Sequence, residues 1–137
     1  MTKEITVQIA EGLGNQLFMY AHAFSMSKKL GYELLIDNKS GYSSKKNTLR
    51  NHQKYLLDSF NIDQRYAYDK NIYDNEYKRI LKKIFILIDF LRYKKKFFRE
   101  KTIKIYNLKK ANNYIDLFEN NFSDNIYVQG NFENYEY

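Results

Sequence analysis

The residues best suited to chemistry stand together near the N-terminus. Gly12-Leu13-Gly14-Asn15-Gln16 lies between a strand-patterned segment and a helix-patterned one. Glycines in such a turn permit positive φ and let the backbone come close to a ligand. The helix behind them presents amides without internal partners to an anion. A diphosphate-bearing ligand suits this chemistry, and a plain tight turn suits the same pattern. Asn15 also has two readings, as a cap accepting from the first-turn amides or as a side chain that reaches a ligand. A dinucleotide fingerprint matches incompletely. Gly12-x-Gly14-x-x-Leu17 lacks the third glycine, although Asp37 stands where an acid would meet a ribose.

Other candidates are sparse. With no cysteine, the chain has no disulfide, Cys-zinc site, iron–sulfur cluster or thiol nucleophile. Its two histidines are not spaced as zinc ligands, so no metal is expected. His22 falls beside apolar residues on the first helix, the place of a packed histidine, and His52 falls in a polar loop. Glu11, Asp37, Asp58 and Glu133 are carboxylates near notable segments, but spacing brings no two of them together.

The elements that must hold the turn follow from periodicity. Ile5 to Ala10 alternates apolar and polar residues as a strand does. Leu17, Tyr20, Ala21, Phe24 and Leu30 recur at helical spacing, with Ala23 and Met26 beside them, and Gly31 follows as a stop. Glu33 to Ile36 is a second strand ending at Asp37, which completes a β-turn-α-β unit. Residues 38–51 read as a polar loop and 55–62 as a short helix or turn, while 64–78 carry no clear pattern. Asn113 to Phe122 reads as a weak helix and Ile126 to Val128 as a strand.

Charge is concentrated. Residues 1–77 carry 10 basic and 9 acidic side chains, residues 78–110 carry 13 and 2, and residues 111–137 carry 0 and 5, giving the net +7. In the basic segment Ile80, Ile84, Leu87, Leu91 and Phe98 follow a heptad-like spacing, which predicts one basic amphipathic helix from Arg79 to about Phe98. Its apolar stripe suits packing on the sheet. With Lys82, Lys83, Lys94, Lys95 and Lys96 around it, the segment 79–101 equally suits an anionic membrane surface. Clustered cations with Tyr93, Phe97 and Phe98 also fit nucleic acid, a less favoured partner.

Length and composition bound the rest. The chain has 137 residues and is 44% hydrophobic, enough for one domain with a core and too few for two. No segment has the form of a signal peptide. The longest apolar run, Ile84 to Leu91, contains Asp89 and falls far short of the ~20 residues that span a bilayer. The expected location is the cytoplasm, with peripheral contact at the inner membrane face.

The wording of the turn carries more. Gly12-Leu13-Gly14-Asn15-Gln16-Leu17-Phe18-Met19-Tyr20-Ala21 resembles the N-terminal signature of the family 11 glycosyltransferases, the α-1,2-fucosyltransferases, which reads roughly GGLGNQMFQYA. Three further stretches are similar in order and spacing. Leu34 to Asp37 resembles the family's second strand, Tyr55 to Ile62 its YxLDxFNI segment, and Gly130 to Tyr137 its GYFQSEKYF segment.

The resemblance implies a Rossmann-like α/β fold, with residues 1–137 as part of the N-terminal domain of a GT-B glycosyltransferase. It implies metal-independent, inverting transfer of fucose from GDP-β-L-fucose to a galactose 2-hydroxyl of a glycan acceptor. Gly12 and Gly14 would shape the turn; Asn15 and Gln16 would reach the nucleotide sugar or hold the cleft between domains. This chain departs from the pattern at Glu11, where the family has its first glycine, and at Glu133 and Asn134. The HxRRxD motif expected to neutralise the diphosphate is not found after His22 or His52, so transfer by this chain alone is not expected. The other readings are a non-catalytic interaction module built on the basic segment and, more distantly, a nucleotide-binding oxidoreductase.

Overall fold

In chain order the elements are β1 (Glu4–Gln8), α1 (Leu13–Leu30), β2 (Glu33–Asp37), α2 (Glu76–Asp89), β3 (Lys95–Arg99), β4 (Thr102–Ile105), β5 (Leu108–Ala111) and β6 (Phe122–Gln129), with 3₁₀ turns at Leu57–Ser59 and Asp69–Asn71. The computed structural model describes residues 2–42, 53–89, 91, 95–99, 102–105, 108–111 and 122–132. β1, β2, β6 and β3 form one parallel sheet in the order β2-β1-β6-β3, and β4 pairs antiparallel with β5 in a separate ribbon. The chain is therefore α/β with a four-stranded parallel sheet. In register, Ile5 faces Leu34 on one side and Ile126 on the other. Beyond β2, Tyr66 adds one parallel bridge to Ile36, which gives a place to part of the segment without sequence pattern.

Strand alternation divides the sheet into two unlike faces. On one, Ile5, Val7, Ile36, Ile126 and Val128 join Met19, Ala23 and Met26 of α1 in the main core. This buried helical face is rotated from the expected stripe, because Leu17, Ala21 and Phe24 are exposed. The 18 residues of α1 admit either stripe; contact with the sheet selects the smaller Ala23 and the flexible Met19 and Met26. Gly31 ends α1 as expected, in the left-handed conformation at φ 69°, its amide donating to the Ser27 carbonyl.

The opposite face of the sheet mixes polar groups with two smaller apolar clusters, one of Leu35, Ala67 and Ile72 and one of Tyr73, Phe97 and Tyr127. Asp37, at the end of β2, is fully buried. Its Oδ1 accepts from the backbone amides of Lys39 and Ser40 at 3.1 and 2.9 Å, and its Oδ2 accepts from the Tyr127 hydroxyl of β6 at 2.6 Å. The loop after β2 lies so close to the exit of β1 that a Cβ on Gly41 would stand 2.1 Å from the Ile9 carbonyl oxygen. Tyr127 is boxed by Tyr73 and Phe97. The Lys82 ammonium of α2 lies 4.1 Å above the Tyr127 ring and 5.1 Å above that of Tyr73, and donates to Gln8 Oε1 at 3.5 Å.

The basic segment is shorter as a helix than its spacing predicts. α2 starts at Glu76 and ends at Asp89, and Lys95 to Arg99 is a strand, so Phe98 and the lysines Lys95 and Lys96 leave the helix. The buried Asp89 side chain makes the break. It accepts from the backbone amides of Lys96 and Phe97 at 2.8 and 3.0 Å and fastens β3 to the helix end. Lys94 lies outside the described residues. The expected weak helix, Asn113 to Phe122, lies outside them except for Phe122, which begins β6; the expected strand at 126–128 lies within β6. Tyr127→Phe leaves a buried Asp37 oxygen unmatched. Urea unfolding is expected to show a loss of about 2 kcal/mol, with the sheet intact by circular dichroism.

Candidate functional site

The order in which strands are added to the sheet reverses between β1 and β6. From β1 the chain crosses to β2, whereas β6 is entered from the side of β3. In open parallel sheets, the crevice outside the strand C-termini at such a reversal is the usual ligand position. Two short segments border it here, Glu11 to Gly14 after β1 and Gly130 to Phe132 after β6.

Glu11 is the centre of this arrangement. It adopts φ 64°, a conformation that disfavours any side chain, directly before Gly12 caps α1. Its Oε2 accepts from the Asn15 amide and, at 3.3 Å, from the Asn131 amide, so residues from both borders of the crevice meet on one carboxylate. Tyr42 stands half-buried nearby. Burial, and then the Glu11 charge, push its hydroxyl well above the ordinary tyrosine range.

Asn15 is therefore not the helix cap. Gly12 holds that position without a side-chain bond, and Asn15, three residues on, reaches back to residue 11 as the third residue of a first turn does. Neither glycine is demanded by its own geometry. Gly12 has φ −78°, a Cβ there would meet only the Gln53 amide at 4.0 Å, and a Cβ on Gly14 would enter open space. Leu13 and Gly14, which open the first turn of α1, are exposed.

Gln16 points inward. It is completely buried, donates to the carbonyls of Glu11 and Lys54 at 2.9 and 2.8 Å, and accepts from the Leu56 amide at 2.9 Å. One carboxamide thus ties the turn to the 54–57 segment, where Leu57 enters the core. His22 has a matching role on the other border. Its ring stacks on Phe132 with centroids 3.9 Å apart and planes 10° from parallel. This contact secures the segment that carries Asn131. Burial, and secondarily Lys29, lower the His22 pKa to about 4, so the imidazole is neutral near pH 7.

Of the remaining carboxylates, Asp37 has both oxygens engaged, as a strand-end acid that caps the following loop and meets Tyr127. Asp58 is exposed on the 3₁₀ turn, and Glu133 lies outside the described residues. Lys82 is buried over aromatic rings, Lys83 is exposed on α2, and Lys96 of β3 lies 5.7 Å from the Phe85 ring. None of these lysines borders the crevice. Among the described residues no three His, Cys, Asp or Glu side chains gather as metal ligands. A separate cleft of about 220 Å³ opens beside the start of β2, lined in part by Tyr20, Phe24, Lys28, Asp63 and Arg65. It lies at the other end of the strand, and Arg65 there is paired with Glu33 and Asp63.

Asn131 was not marked by sequence reasoning. It falls inside a stretch of family resemblance, but only the tertiary fold shows that it shares a carboxylate with Asn15. Comparison with protein-family models, curated proteins and solved structures finds no match.

Two measurements check these roles. Gln16→Leu takes the partner from three backbone groups, all in part-buried bonds, and is expected to lower unfolding free energy by about 2 kcal/mol. His22 binds a proton more weakly folded than unfolded, so its contribution is fully present above its ordinary pKa of 6.5 and is lost as pH falls toward 4. Urea titrations across that window should show the chain losing up to about 3 kcal/mol more than His22→Phe, with equal slopes above it.

Proposed function

We propose that this chain is a glycosyltransferase-family protein of the α-1,2-fucosyltransferase kind, and that the crevice between β1 and β6 binds the nucleotide sugar GDP-fucose. Its sheet and α1 are then the Rossmann-like front of a GT-B fold, and a galactose-bearing glycan is the acceptor. The observation that carries this reading is the conformation of residue 11. The resembled signature has a glycine there, and the backbone at that position is left-handed, at φ 64°. A glycine meets such a demand without strain, which gives the signature a physical reason at the position where this chain departs from it. The exposed first turn of α1 and the Asn15 and Asn131 amides supply donors for phosphate or sugar oxygens. Asp37, fully buried with both oxygens engaged, offers no oxygen to a ribose, which weighs against the dinucleotide oxidoreductase reading.

In this reaction negative charge develops on the leaving GDP and must be stabilised by aimed cations and donors. The turn amides provide donors. The arginines of HxRRxD are not among these 137 residues, and Glu11 adds a carboxylate where the diphosphate charge is expected. These residues therefore bind the donor weakly and do not turn it over. Gln16 and His22 act by holding the two borders in place.

Saturation-transfer NMR on the purified chain tests the proposal. Transfer to GDP-fucose, with little to NAD, is expected; transfer to NAD alone would overturn it. Glu11→Gln removes a like charge while keeping the shape, and should tighten GDP-fucose binding by roughly tenfold. Asn15→Ala should weaken it. No incorporation of fucose into a galactoside is expected from the unmodified chain.

A further inference from the structure

α2 packs on the sheet through a mixed face, in which Phe85 and Ile86 lie partly buried against Tyr73, Phe97 and Tyr127 beside two polar side chains. Lys82 and Asp89 are buried against the sheet, while Ile80, Leu87 and Leu91 at its other side are 56%, 72% and 84% exposed. Tyr77, Ile84 and Ile88 extend the same face, which carries Lys83 as its central cation and Glu76 at its N-terminal edge. An amphipathic helix on a soluble sheet ordinarily buries its apolar stripe, and a contiguous apolar surface left outside marks a contact with something else.

We propose that this face of α2 docks on an anionic lipid surface, its isoleucines and leucines entering the acyl boundary while Lys83 meets the headgroups. The charge selects this occupant. Residues 78–110 carry 13 cations and 2 acids, and Asp89, one of the two, is withdrawn from the surface. A second copy docked on this face would bring two segments of net +11 together. Nucleic acid needs the cations outermost, but the outward face is aliphatic and Lys82 is held beneath it. An anionic bilayer accepts both the apolar stripe and the positive surroundings. The geometry is that of a helix lying in the interface, since no described helix is long and apolar enough to cross a membrane. α1, with the crevice at its start, is on the opposite face of the sheet, so the inference does not rest on the nucleotide-sugar reading.

Vesicle co-sedimentation of the 137-residue chain tests this at fixed salt. Vesicles of phosphatidylcholine with roughly one third phosphatidylglycerol should bind at least about tenfold more tightly than phosphatidylcholine alone. Leu87→Glu should abolish most of that binding, and Ile80→Ser, a milder change, should weaken it. Both side chains are largely exposed, so circular dichroism in buffer should match the parent chain. Phe18→Glu, on the exposed side of α1, should bind as the parent does. Equal binding to neutral and anionic vesicles, undiminished binding by Leu87→Glu, or equal loss in Phe18→Glu would overturn the proposal. So would a lipid-free dimer that Leu87→Glu dissociates, or stronger binding to an oligonucleotide than to the anionic vesicles at the same salt.

Discussion

A carboxyl group buried at the end of β2 sets much of this architecture. Asp37 sits out of reach of solvent, where an unmatched carboxyl would be very costly, so partners must be delivered to it. Two come from the backbone of its own loop, which folds back over the β1 exit at Gly41. The third is the Tyr127 hydroxyl, from a strand two positions across the sheet. That face therefore cannot be a plain apolar surface. Tyr127 needs aromatic company, supplied by Tyr73 and Phe97, and these rings receive the Lys82 ammonium. Once Lys82 must point inward, the orientation of α2 is decided, and its aliphatic stripe is left outside.

The crevice depends on a different constraint, the path of the chain out of β1. The turn needs a left-handed residue and has Glu11 in that position. The carboxylate this introduces is held by amides from both borders. Behind it, two fully enclosed contacts keep the borders apart and fixed: the Gln16 carboxamide on one side and the His22–Phe132 stack on the other. The groups facing the crevice are thus few, and the groups supporting them are buried. This division suits a binding site whose shape is set before any ligand arrives.

Much of the N-terminal unit was legible from residue order alone. The alternation of Ile5, Val7 and Ile9, the Gly31 stop and the second strand into Asp37 are local patterns, and each appears where expected. The turn was also marked, although its assignment shifted: the left-handed residue is Glu11, not a glycine, and the cap is Gly12, not Asn15. The C-terminal half was much less legible. From Tyr42 to Gln129 the chain has neither glycine nor proline, so its breaks carry no punctuation. The change from helix to strand after Asp89 is made by that side chain bonding two amides of β3, a tertiary contact that leaves no trace in periodicity.

Residue order by itself determined the β-turn-α-β unit, the concentration of charge in residues 78–110, and a glycine-bearing turn between the first strand and the helix. These are short-range or additive properties, set by neighbours within a few positions. Only the tertiary structure decided which stripe of α1 is buried, that α2 presents its apolar side outward, and that Asn131 joins Asn15 on Glu11. Each of those depends on groups distant in sequence satisfying one another's burial and hydrogen bonding. Periodicity names the two sides of a helix, but the side that turns inward is chosen by what the sheet already holds, and here it holds Asp37.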